Sequence, residues 1–186
     1  MTAKKQNKFD EFIEEQTKLG KIAEQDWAER LQDWQTHINH FYENVEVFLQ
    51  PYLDKGKISI RYGRKKILED VFGEYEVDTA AIQLGPNLIR LEPIGSIIIG
   101  AQGRLDMIGP NGVVKFLLVD KNASEPKILA RVQILDRNSP VRTALREPKP
   151  EQIDWTWKIA TDPPQIKFYP LTEESFFDAL MGVTNG

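Results

Sequence analysis

Over residues 27–49 nine apolar side chains, Trp27, Leu31, Trp34, Ile38, Phe41, Tyr42, Val45, Phe48 and Leu49, recur three and four positions apart. At 100° per residue they fall within a wedge of roughly 120°, a stripe that a helix can bury along one side and a strand cannot. A helix with so many aromatic residues on one face must set that face against something. Phe9, Phe12 and Ile13 lie on or beside the same wedge, Gly20 and the weak stretch around it predict a break between the two parts, and Pro51 marks an end or a kink. From residue 24 to 50 the helix is roughly 40 Å long, more than the diameter of the compact domain left for the rest of the chain. Part of it is therefore expected to overhang.

From Lys57 onward the period changes to two, and turn signals arrive every few residues at Gly63, Gly73, Gly85, Gly95, Gly100, the GPNG run 109–112 and Lys121-Asn122. The pattern predicts an antiparallel meander with strands at 57–62, 75–83, 88–92, 96–99, 104–108, 113–120, 127–135, 154–160 and 165–170. A charged, proline-bearing connection occupies 136–153, which is long for a tight meander and of the kind that carries contacts. At the end of the chain Thr172 is an N-cap, Glu173 and Glu174 suit the positive end of a helix dipole, and Gly182 suits a stop. Phe176, Phe177, Leu180 and Met181 would form the buried face of that helix. The expected fold class is α+β: a long N-terminal amphipathic helix, an antiparallel meander of about 7–9 strands that curls or splits into two layers, and a short C-terminal helix. We divide the chain into a helical segment, 1–52, and a β domain with its C-terminal helix, 53–186, joined as one globular unit.

Composition narrows the chemistry. A formal charge of −4 gives no overall attraction to phosphate backbones or anionic membranes, so such binding must come from a local patch. No cysteine means no disulfide, thiol nucleophile or thiolate metal site. No apolar run is long enough for a signal core or a membrane span, and we expect a cytoplasmic protein of bacterial type without membrane contact.

Four sets of residues invite a chemical reading. The segment from Gly103 to Asn122 superficially resembles the half-site of PD-(D/E)xK nucleases, with Asp106 as the first metal ligand and Asp120 and Lys121 as the acid and the lysine. In a strand neighbours point to opposite faces, so the adjacent Asp120 and Lys121 diverge, and position 119, where the acid should stand, is Val119. A plain hairpin, with Leu105, Met107, Val114, Phe116 and Leu118 on one face and a solvated pairing of Asp106 with Lys115 on the other, fits better. His37 and His40, with Asp33 and Glu43 near them in sequence, form a weak metal set on the long helix. Lys57, Arg61, Arg64, Lys65 and Lys66 form a basic run that is either an anion patch or a protected sheet edge. Trp155 and Trp157 share a strand face and suit a core pair better than a ligand platform.

No catalytic constellation survives these tests, and no cofactor is expected. The leading expectation is a non-catalytic protein–protein interaction module, such as an adaptor, inhibitor or immunity-like subunit. It would bind another protein, or a second copy of itself, through the helix face bearing Trp27, Leu31 and Trp34 and through the 137–152 loop. The alternatives are a divalent-metal nuclease using Asp106, Asp120 and Lys121, and a nucleic-acid binder using the basic run.

Overall fold

The computed structural model describes residues 3–70, 72–96, 101–126 and 153–185, with side chains placed at Ile13 and from Trp27 onward. Helix α1 spans Ala3–Leu53, and the strands are β1 Ile58–Glu69, β2 Gly73–Leu84, β3 Asn87–Gly95, β4 Gly103–Gly109, β5 Gly112–Asp120, β6 Trp155–Ala160 and β7 Phe168–Pro170, followed by helix α2 Glu173–Asn185. The strands form one open antiparallel sheet in the order of the sequence, β1 to β7, each paired with its neighbours in the chain. The fold class is α+β, with one helix at each end of a seven-stranded meander. The candidate strand at 127–135 lies outside the described residues, as does most of the candidate at 96–99 and of the 136–153 connection.

Several boundaries differ from the sequence expectation for identifiable reasons. Gly20 does not break α1, which runs uninterrupted for 51 residues; one glycine costs about 1 kcal/mol against alanine, too little to split a helix with good formers on both sides. Pro51 falls in the last turn, and the stop is made beyond it, at Gly56. Gly56 has φ +62°, with Gly56 N–H donating to Leu53 O and Lys57 N–H to Tyr52 O, which is a Schellman closure. Gly63 is no turn but a mid-strand residue opposite Thr79. Nor does Gly182 end α2: the helix continues to Asn185, and Met181 is exposed instead of buried.

Both helices cover the same face of the sheet. From α1 come Trp34, Ile38, Phe41, Val45 and Leu49, from α2 Phe176, Leu180 and Val183, and from the sheet Ile82, Leu91, Leu105, Met107, Phe116 and Leu118. Phe41 is the hub, with ring centroids 5.0 Å from Phe116 and 5.2 Å from Trp157, whose indole N–H donates to His37 O at 2.9 Å. Trp157 is thus core, and Trp155 packs at its margin. The Tyr42 hydroxyl lies 3.0 Å from Asp78 O and 3.1 Å from Leu91 O, where β2 separates from β3 and the ladder leaves these carbonyls short of partners.

Two glycines of β4 are set by close packing. A Cβ on Gly103 would stand 2.1 Å from Trp34 Cζ3, and one on Gly109 would stand 2.4 Å from Val183 O. Next to Gly109, the two-residue turn at Pro110-Asn111 docks on the end of α2: Asn111 N–H donates to Val183 O at 2.9 Å, and its side-chain amide donates to Thr184 O at 2.5 Å. These carbonyls have no partner within their own helix. The GPNG run that reads as a hairpin turn is also the C-terminal cap of a helix end 73 residues away in the chain.

Candidate functional site

The hairpin face assignment holds on its inner side, where Leu105, Met107, Phe116 and Leu118 are fully buried. Its outer side is different from a solvated strand face. Asp106 is only 5 % exposed, and both its oxygens are taken by one guanidinium, Arg104 Nε at 2.7 Å and Nη2 at 2.6 Å. Arg104 stands two residues before it on the same strand, where its planar fork can meet both oxygens at once. Lys115, opposite Asp106 in the register, turns instead to Asp162 at 2.5 Å. The expected pairing of Asp106 with Lys115 is thus replaced by two others.

The nuclease set does not converge. Asp120 stands five residues beyond Lys115 on β5, about 17 Å along the strand from the level of Asp106 and of opposite parity. Its Oδ1 accepts the Asn122 N–H at 2.8 Å, closing the turn after β5, and Lys121 pairs with Asp154 at 3.1 Å. The same turn is held from below by the nearly buried Lys158, whose ammonium donates to Lys121 O at 2.7 Å and to Ala123 O at 2.6 Å. A metal ion at Asp106 would have to compete with a bidentate guanidinium, and the second carboxylate is engaged elsewhere.

Most of the basic run is neutralised by acids of neighbouring strands. Arg64 pairs with Asp78 at 3.2 Å and approaches Glu76 at 3.9 Å, Lys66 pairs with Glu74 at 2.7 Å, and Lys65 with Glu92 at 3.5 Å. Lys57 and Arg61 are exposed. What reads in sequence as a positive stretch is one rail of a charge ladder across the β1–β2 hairpin.

Between that hairpin and α1 runs an open groove of about 510 Å³ lined by Asn39, Tyr42, Glu43, Glu46, Tyr62 and Asp78, among others. Tyr62 donates to Glu46 at 2.7 Å. Its phenol is held well above the ordinary range, first by burial and then by that carboxylate. The groove offers acceptors and no activated nucleophile, and no cluster of three or more His, Asp or Glu suited to a metal ion occurs among the described residues.

His37 and His40 both sit on α1, the second exposed and the first half-buried. Burial lowers the His37 pKa from the ordinary 6.5, Asp33 partly offsets this, and His40 adds to it. Above pH 6.5 His37 is neutral in folded and unfolded chains alike; as the pH falls below 6.5 the unfolded chain takes up its proton first, and stability drops. Replacing His37 with Gln is expected to shrink the difference in urea stability between pH 7.5 and pH 5. An unchanged difference would show that the side chain is solvated as in the unfolded chain.

Along α1 the side chains described are Ile13, which is exposed, and those from Trp27 onward. Of the three residues expected to offer a partner face, Trp34 is 0 % exposed within this chain's own core, and Leu31 packs against that core. Trp27 stacks edge-on against Phe72, at a 5.7 Å centroid distance, beside the turn that joins β1 to β2. This is the most N-terminal contact with the sheet among the described residues. Residues 3–26 continue as helix past it, for about 36 Å. The sequence expectation set Trp34 on a partner face, whereas it belongs to this chain's core, because periodicity shows which side of a helix is apolar and not where the sheet ends.

No protein-family model, no curated protein and no solved structure matches this chain. Among the described residues no helix is long and apolar enough to cross a membrane.

Proposed function

We propose that this protein is a non-catalytic interaction module, an adaptor, inhibitor or immunity-like subunit of the bacterial cytoplasm, whose contact element is the projecting N-terminal part of α1. The observation that carries this reading is the length of α1. Its apolar stripe begins at Phe9 in the sequence, and among the described side chains the first to meet the β1–β2 turn is Trp27. Ile13 is 47 % exposed. A cysteine-free composition suits a reducing compartment. The nuclease and phosphate-binding readings are less well supported, since the first needs Asp106 and Asp120 together and the second needs Arg64, Lys65 and Lys66 without acid partners.

The test is a chain lacking residues 1–26. On this reading residues 1–26 serve the partner and not the core, so stability to urea is expected to stay within about 1 kcal/mol of the full chain, while binding to the partner recovered with the full chain is lost. A truncated protein that keeps every interaction, or one that no longer folds, would overturn the proposal.

A further inference from the structure

We infer that Asn111 is a modification site, an asparagine whose deamidation is held back while the end of α2 is docked on it and whose product keeps that end loose once formed. The inference does not depend on the interaction reading above.

The dipeptide Asn111-Gly112 forms the tip of the β4–β5 hairpin and is exposed to water. Gly112 has no side chain to shield its backbone nitrogen. When that amide gives up its proton to water, the nitrogen attacks Asn111 Cγ: the N–Cγ bond forms, the Cγ–Nδ2 bond breaks, and Nδ2 takes a proton from water and leaves as ammonia. Water then opens the cyclic imide that remains. Opening at Cγ gives aspartate, and opening at the Asn111 backbone carbonyl gives isoaspartate, whose main chain runs through the former side chain. No electrons are exchanged, and water is the only co-reactant. Asparagine is a thermolabile residue wherever the chain is free to do this.

Here the rotations that ring closure needs are held. The side-chain amide donates to Thr184 O at 2.5 Å, the Asn111 N–H donates to Val183 O at 2.9 Å, and Gly109 pairs with Gly112 across the turn. The contact that restrains Asn111 is thus the one that caps α2. Undocking of the helix end frees the asparagine to react, and the product cannot restore the contact. It has no Nδ2–H to donate, and its carboxylate would face the carbonyls of Val183 and Thr184 at the negative end of the helix dipole. Isoaspartate also lengthens the main chain of the turn beside Gly109, where even a Cβ would stand 2.4 Å from Val183 O. A brief opening of α2 is thereby converted into a lasting one, which loosens Val183 from the core it now shares with Phe176.

The test incubates the full chain, native and unfolded in urea, and follows conversion at residue 111 by peptide mapping, apart from the other Asn-Gly pair, Asn185-Gly186. Native Asn111 should convert at least about tenfold more slowly than in the unfolded chain. As urea is added below the unfolding transition, its rate should rise in step with amide exchange in the last turns of α2. In Asn111→Asp those amides should exchange about tenfold faster than in the parent. Asn111→Ala, which loses the donor without gaining a charge, should fall between the two. Equal conversion in native and unfolded chains, or a native rate indifferent to α2 exchange, would overturn the inference. So would an Asn111→Asp protein whose α2 is as protected as that of the parent or of Asn111→Ala.

Discussion

Replacing Gly103 with Ala is expected to destabilise the protein by about 3 kcal/mol, near the upper end of what overpacking a close-packed core costs. The added Cβ would stand 2.1 Å from Trp34 Cζ3 and 2.6 Å from Trp34 Cε3 and Cη2, separations that real atoms do not reach. Relief has to come from the large ring or from the backbone of β4, and both are held. Trp34 is fully buried between α1 and the sheet and stacks 5.8 Å from Trp157, while β4 is laddered to β3 and β5. A double-mutant cycle in urea separates this clash from any intrinsic effect of alanine in a strand. Trp34→Leu alone leaves a cavity and should cost about 3 kcal/mol, but with Gly103→Ala the combined loss should fall short of the sum by more than about 1 kcal/mol. The leucine also removes a liability: among the described residues the buried Trp34 indole N–H makes no close hydrogen bond, its nearest acceptor being the Tyr75 hydroxyl, which itself donates to Glu69 at 2.6 Å. Strict additivity, or a Gly103→Ala protein as stable as the parent, would mean that α1 does not cross β4 as described.

The second large effect is expected at Asp106. Removing one member of a fully buried ion pair costs about 3 kcal/mol or more, whereas replacing both with apolar residues of similar size is often close to neutral. Here Asp106 is buried but the Arg104 side chain is 31 % exposed and can turn to water, so Asp106→Ala should lose about 2 kcal/mol in urea unfolding. Arg104→Met combined with Asp106→Leu should recover most of it. Asp120→Ala, which gives up one hydrogen bond in an exposed turn, should cost at most about 1 kcal/mol. If Asp106 and Asp120 instead acted together on a metal ion, both alanine variants would abolish a metal-dependent cleavage of phosphodiesters while leaving stability largely intact. The two accounts thus differ in which measurement changes.

How far the sequence alone reaches can be followed residue by residue. The α1 wedge, the meander and the inner face of the β4–β5 hairpin are legible because each depends on local periodicity, and Trp34, Phe41, Leu105 and Phe116 are buried where that periodicity puts them. Strand length in β1 and β2 was not legible. The run from Arg64 to Lys66 makes sense as strand only once Glu74, Glu76 and Asp78 stand opposite, and register is a property of two segments at once. Asp106 illustrates the same limit: alternation places it on the outer face, but nothing local shows that this part of the face is covered. Gly109 and Asn111 have obvious turn chemistry, and that chemistry concealed their second task at the end of α2.

The one-after-another order of the sheet also governs how the protein assembles. Every strand pair from β1 to β5 closes through a short connection, so those hairpins can form quickly and independently from contacts near in sequence. The pairing of β5 with β6 must instead close the 34 residues between Asp120 and Trp155, which costs roughly 2.5 kcal/mol more than a two-residue link. The expected order is therefore an early block of five strands and a late one made of β6, β7 and α2, which φ-values near zero at Trp157 and Phe176 would confirm. Until the late block arrives, Phe41 and Phe116 lack Trp157 and Phe176 as neighbours, and the aromatic centre of the molecule is open to water.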